Sequence, residues 1–304
     1  MKKLLNIDGG GVRVYLSLLI LQYIEDKTNK NILEIFDYFA GVSASSIILS
    51  GLLTKYTVRQ MILLFKEIAQ KIFYRSYYHM ITSGFGIFDN KYSDDAINME
   101  LQLLLAGYKL QDTVKPLSIL TYNLSSSKPK VFNSYDKPIK NINELDGYDL
   151  WKVVRASAAA PTYFTPMTID MEHFIDGGVV TNNLSEMTFI DSLNYFGSDE
   201  KFCQISIGTG VYNPKYTYLP SGIWSWSGRI VDVFFDATSN YEMITLNKLS
   251  KFENLDFNRI DIELDREILL DDCNAFDKMD TIFSLWVECH QEYLNDIIQK
   301  LLAD

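Results

Sequence analysis

Three short segments carry residue types that do chemistry at the spacing chemistry requires. Gly41-Val42-Ser43-Ala44-Ser45 lies between an apolar run (Phe36, Tyr38, Phe39) and a run of small residues. It is close to G-x-S-x-G, in which small neighbours allow a sharp strand-to-helix turn that exposes a serine hydroxyl beside the next residue's amide. Ser45 stands where that pattern has its second glycine. Read alone, the segment fits the start of a buried small-residue helix as well as it fits a nucleophile. Asp8-Gly9-Gly10-Gly11-Val12-Arg13 follows an apolar strand and precedes a helix. Consecutive glycines let backbone N–H groups converge into an anion-binding concavity, and a following helix N-terminus favours negative charge. Val14 occupies the last position of G-x-G-x-x-G and no GK[ST] follows, which weakens a nucleotide reading and leaves an oxyanion site or a tight turn. The third segment, Phe174-Ile175-Asp176-Gly177-Gly178, ends an apolar run on a carboxylate that caps a loop, binds a ligand or acts as a base.

A serine nucleophile needs a base, and the chain has three histidines, His79, His173 and His290. His173 precedes Asp176 by three residues, so on one strand the two face opposite sides. His290 falls in an amphipathic terminal helix, where a surface or hydrogen-bonded histidine is the ordinary case. His79, in an aromatic stretch, stays a candidate. The better reading is a serine–aspartate dyad in which Asp176 orients and deprotonates Ser43.

These residues need elements to hold them. The sequence predicts strands over 2–8, 35–42, 116–124, 130–133, 173–176, 202–207 and 259–264. It predicts helices over 12–27, 44–54, 56–74, 94–106, 149–157, 185–196, 229–250 and 277–302, with Ser93 and Asp149 as N-caps and Gly107 as a stop. Strands alternating with helices point to an α/β layered fold with a largely parallel sheet.

In this order and context, DGGGVR at 8–13, GVSAS at 41–45 and DGG at 176–178 resemble the patatin-like phospholipases. Arg155–Phe164 (RASAAAPTYF), Asn182-Asn183 and Ser206–Gly210 (SIGTG) support the resemblance, which covers about residues 3–210. It implies an α/β three-layer sandwich with a central, largely parallel sheet flanked by helices. It implies a single domain over 1–304, its motif-bearing core at about 3–210 and a C-terminal helical extension at about 211–304 packed on it. Ser43 would be the nucleophile and Asp176 its partner, without a catalytic histidine. The amides of Gly9, Gly10, Gly11 and Ala44 would form the oxyanion hole, with Arg13 steadying the loop or the developing charge. The implied activity is hydrolysis of acyl esters of phospholipids or lysophospholipids, with no cofactor and no catalytic metal. Acyl transfer from the same acyl-enzyme is a neighbouring reading, and a catalytically weak lipid- or nucleotide-responsive binding protein is a rival of another class.

Composition bounds the partners. The 304 residues carry 28 basic and 39 acidic side chains, net −11, which argues against a nucleic-acid partner. With 47% apolar and 22% charged residues the chain is globular rather than disordered. The longest uncharged stretch, between Asp37 and Lys55, is broken by serines and two glycines and is too polar to span a membrane. Three cysteines form no CxxC pair, which suits a reducing, cytoplasmic setting. Attraction to anionic lipid is weak at this charge, so membrane-surface contact is expected to be transient, local and apolar. The aromatic stretch Phe73, Tyr74, Tyr77, Tyr78, Phe85, Phe88 and the pair Trp224, Trp226 either dock on lipid or pack in the ordinary way. Oligomeric state leaves no mark in the sequence.

Overall fold

The computed structural model describes residues 1–74, 90–136, 147–212, 221, 230–251 and 254–303. In chain order, β1 (Lys2–Ile7) leads through a 3-10 turn at Gly11–Arg13 into α1 (Val14–Thr28) and a short α2 (Ile32–Ile35). Then come β2 (Tyr38–Val42), α3 (Ala44–Thr54), α4 (Val58–Ile72), α5 (Asp94–Leu105), β3 (Leu117–Asn123) and β4 (Lys128–Asn133). They are followed by α6 (Leu150–Ser157), β5 (Met167–Ile169), β6 (Glu172–Asp176), α7 (Ser185–Phe196) and β7 (Phe202–Ile207). The chain ends with α8 (Ile230–Leu249), β8 (Leu255–Ile260), α9 (Phe276–Cys289) and α10 (Gln291–Leu302).

The strands form one sheet in the order β5-β6-β3-β2-β1-β7-β8, with β4 also on β3. β3, β2, β1, β7 and β8 run parallel; β4, β5 and β6 are antiparallel additions. Parallel strands covered on both faces need near-continuous apolar sequence, and all of β2 and β7 is buried. Alternate residues split the core in two. Leu4, Tyr38, Ala40 and Val42 pack with Phe189 of α7 and Leu246 of α8, whereas Leu5, Ile7 and Phe39 pack with Leu16, Ile48 and Phe65 from α1, α3 and α4. Three layers result, with the larger core on the α1/α3/α4 side.

Local chemistry sets many boundaries. α4 starts at Val58 because Thr57 and Gln60 form a reciprocal capping box. Ser93 and Asp149 sit at the N-cap positions of α5 and α6, but neither side chain makes the expected cap bond. The Asp149 carboxylate instead pairs with Lys109 at 2.7 Å and Lys152 at 2.8 Å. The predicted terminal helix is two helices, broken at His290, whose φ of −117° leaves the helical region and whose Nδ1 lies 2.8 Å from the Trp286 carbonyl. The strand expected at 259–264 starts four residues earlier and lies beside β7, so the part of the chain after 210 completes the sheet as well as adding helices. β5 was not predicted: it is three residues long, and its two-residue turn to β6 uses Asp170 (φ 49°) and Met171 (φ 64°) rather than glycine.

Candidate active site

The sheet brings the two chemical segments together by an end-to-end meeting of strands. Residues 118–123 of β3 pair with β4 on one edge. The other edge is shared: β2 pairs with residues 117–120, and β6 arrives antiparallel to pair with 121–123. Val42 therefore sits opposite Leu120 and Asp176 opposite the adjacent Thr121. The residue after Val42 is Ser43, whose Oγ donates to Asp176 Oδ2 at 2.6 Å.

Ser43 occupies a sharp turn with φ 57° and ψ −133°, a backbone region costly for a residue with a Cβ. The turn is fixed from all sides. The Ser43 amide donates to Ser157 Oγ at 2.9 Å, and the Ser157 hydroxyl in turn donates to the Leu120 carbonyl at 2.7 Å. The Ser43 carbonyl accepts from the Ser46 amide at 3.0 Å and the Ser46 hydroxyl at 2.6 Å. Ser45, at the position of the pattern's second glycine, is fully buried and bonded. Its Oγ accepts from the Val42 amide at 2.8 Å and lies 2.8 Å from the Ile7 carbonyl, tying the ends of β1 and β2 together beneath the turn.

Asp176 is 5% exposed. Oδ1 accepts from the Gly178 amide at 2.7 Å, leaving Oδ2 for Ser43. Burial pushes its carboxyl up to about 6, against the pull of the Ser43 hydroxyl and the Gly178 amide. His173 lies on the exposed side of β6 beside Thr168, as the odd spacing requires, and His290 serves the helix break; neither reaches Asp176. His79 lies outside the described residues, as do Tyr77, Tyr78, Phe85, Phe88, Trp224 and Trp226. Phe73 packs edge-on to Tyr92 and lines the cavity described below, while Tyr74 is exposed.

The glycine turn after β1 lies against this pair, close enough that a Cβ on Gly9 would sit 3.2 Å from that of Ser43. Gly9 differs from the sequence reading: its amide donates to the Asn182 carbonyl at 3.0 Å and is not available to an oxyanion. Gly10, Gly11, Ser43 and Ala44 all line one cavity, and no described backbone carbonyl takes the amides of Gly10, Gly11 or Ala44. Gly11 has φ +55°, which glycine adopts freely. Arg13 sits at the N-cap of α1 and its charge favours ionised Asp8, but its side chain does not line the cavity. Behind the turn, Asp8 is held by a fork of two bonds from Arg259 of β8, at 2.9 and 2.6 Å. Beyond Ser43 the cavity wall is apolar, built by Ile47, Phe65, Ile68, Ile72, Ile97 and Phe164. A wall of this kind favours an alkyl chain by desolvation, and the polar end presents a hydroxyl, a carboxylate and amides that no described backbone carbonyl takes.

The family model for patatin-like phospholipases matches residues 5–189. The chain belongs to this family. Among curated relatives, a mouse (Mus musculus) protein named calcium-independent phospholipase A2-gamma is 28% identical over 252 residues, 79% of this chain and 32% of that protein. Patatin-like protein 4 of Arabidopsis thaliana is 24% identical, over 98% of this chain and 82% of that protein. The patatin-like chain thus spans about a third of the length of the mouse relative. Among solved structures, VipD from Legionella pneumophila aligns with a TM-score of 0.45 and 13% identity, covering 94% of this chain and 67% of that one. In this patatin-like chain, the matched segment holds the glycine turn, Ser43, Ser157, Asp176 and Asn182; Thr209 and Arg259 lie beyond it. Ser157, Asn182 and Thr209 fall within the segments that carry the family resemblance in the sequence, but nothing local assigns them a task. Arg259 has no local signal at all.

Proposed function

We propose that this chain is a lipid acyl hydrolase that cleaves acyl esters of phospholipids or lysophospholipids through Ser43 and Asp176. The observation that carries this reading is the 2.6 Å bond from the Ser43 hydroxyl to a buried carboxylate at the polar end of an apolar cavity. Asp176 takes the Ser43 proton as Oγ bonds to the ester carbonyl carbon. The carbonyl oxygen becomes an oxyanion that the Gly10, Gly11 and Ala44 amides receive. The ester C–O bond then breaks, the leaving alcohol takes the proton from Asp176, and the acyl group stays on Ser43. Water attacks this acyl-enzyme, giving its proton to Asp176; the fatty acid departs and the proton returns to Ser43 Oγ. A carboxyl near 6 suits this cycle better than an ordinary aspartate, because it is ionised at neutral pH yet a stronger base. In this reading residues 1–304 act as one unit, since β8 supplies Arg259 to the turn that offers the amides. No helix among the described residues is long and apolar enough to cross a membrane. In this reading the lipid is taken from a surface the protein meets transiently.

The test is a lipid-class hydrolysis screen on the parent and on Ser43→Ala. Release of fatty acid by the parent and none by Ser43→Ala is the expected result. Equal release from both proteins, or none from the parent on any acyl ester, ends this reading.

A further inference from the structure

We infer that Thr209 is a positioning residue that aims the Gly10 N–H at the oxyanion, a role that rests on the function proposed above. In a trans peptide the C=O and the following N–H lie in one plane and point in opposite directions, and no cis peptide occurs among the described residues. Whatever holds the carbonyl of a donor's peptide therefore sets the direction of its N–H. Thr209 Oγ1 donates to the Gly9 carbonyl at 3.2 Å, and that carbonyl shares its peptide plane with the Gly10 N–H. The same arrangement recurs at the other two donors. The Gly10 carbonyl, coplanar with the Gly11 N–H, accepts from the Arg13 amide at 3.1 Å. The Ser43 carbonyl, coplanar with the Ala44 N–H, accepts from Ser46. At Gly10 alone of the three, the holding group is a side chain brought from about 200 residues away.

That side chain is itself fixed. Thr209 is 6% exposed, in the turn after β7. On one side of it the Gly208 carbonyl accepts from Ser17 Oγ at 3.1 Å; on the other the Gly210 amide donates to Asp261 Oδ1 at 3.1 Å. Thr209 also fills the space beside Gly10, where a Cβ would lie 2.2 Å from Oγ1, so the turn needs glycine there because threonine occupies that room. The Gly9 amide, bonded to Asn182, locks the preceding plane. The structure thus has one glycine whose amide is committed to protein and a second whose amide is steered by a hydroxyl.

The test compares parent, Thr209→Val and Thr209→Ser on a soluble p-nitrophenyl ester, reading kcat and KM separately and melting temperature alongside, with Ser43→Ala as control. Valine keeps the shape and lacks the hydroxyl; serine keeps the hydroxyl. A fully removed donor lowers kcat about 100- to 1000-fold, so a misaimed one is expected to lower it about 10- to 100-fold. KM should stay within about twofold of the parent, because an oxyanion donor acts on the transition state. Thr209→Ser should recover most of kcat. Parent-like kcat in Thr209→Val, a loss confined to KM, or an equal loss in Thr209→Ser overturns the inference. If Thr209→Val does not fold, Thr209→Ala is read by the same criteria. Hydrolysis that survives in Ser43→Ala sinks the proposed function and this inference with it, whereas Ser43-dependent hydrolysis indifferent to Thr209→Val sinks only the inference.

Discussion

Asp8 and Asp176 begin as near twins. Each closes an apolar strand, each is followed by Gly-Gly, each is 5% exposed, and burial pushes each carboxyl up to about 6. They differ in what reaches them. Asp8 receives both guanidinium nitrogens of Arg259, whose position is further set by Asp261 at 2.7 Å and Ser206 Oγ at 2.7 Å. Burial alone would lower the Arg259 pKa, but the two carboxylates more than reverse that, so the guanidinium stays charged and holds Asp8 ionised at neutral pH. Among the described residues, Asp176 meets one hydroxyl and one amide and no cation. A matched charge is a fixed post for the glycine turn; in the proposed function the unmatched one serves as the base. On that reading the same tripeptide at the same depth becomes scaffold or reagent according to a partner from elsewhere in the chain.

Replacing each aspartate by asparagine tests that contrast most severely. Asp176→Asn is expected to lower acyl release by about a thousandfold, within the range for losing a general base. Its stability should not fall. A folded-state carboxyl raised above its unfolded value adds stability below the unfolded pKa and loses it as pH rises through about 6, so at pH 7.5 the ionised Asp176 is a cost. The Asp176→Asn protein should therefore melt at the same or a higher temperature than the parent. Asp8→Asn should do the reverse in kind: it leaves Arg259 under-compensated and lowers unfolding free energy by about 3 kcal/mol in a urea titration. Asp8→Asn with parent stability would erase the distinction.

The pH profile sharpens it further. With Asp176 active only when ionised, kcat/KM should be flat near pH 8 and fall tenfold per unit below about 6 on a soluble ester. An acid limb at pH 4 would mean that the base is an ordinary carboxylate. The smallest effect concerns the strained turn, since Asp8 precedes a glycine turn and Ser43 has a Cβ at φ 57°. Ser43→Gly should be more stable than Ser43→Ala by about 1 kcal/mol, because glycine relieves the strain that alanine keeps. Equal unfolding midpoints for the two would show that the turn stores none.

Most of the helices and parallel strands were readable because their signals are local. Buried apolar runs such as Tyr38–Val42, the small residues after Ser43, and the run Ser185–Phe196 announce themselves within a few residues. β5 and the break at His290 were not readable: a turn at Asp170-Met171 without glycine, and a histidine stacked on Trp286, depend on contacts that no short window contains. The site divides in the same way. Ser43, Asp176 and the glycine run stand out in the sequence because a tight turn and a carboxylate at a strand end leave a mark in residue type. What the carboxylates do does not. Gly9 bonds to Asn182, Asp8 to Arg259 and Gly9's carbonyl to Thr209, across separations of about 170 to 250 residues. Residue type and spacing determined the strand-end turns and the groups they expose. Only tertiary structure decided which buried charge is neutralised and which amide is left open, because desolvation and hydrogen bonding depend on neighbours that chain order does not show.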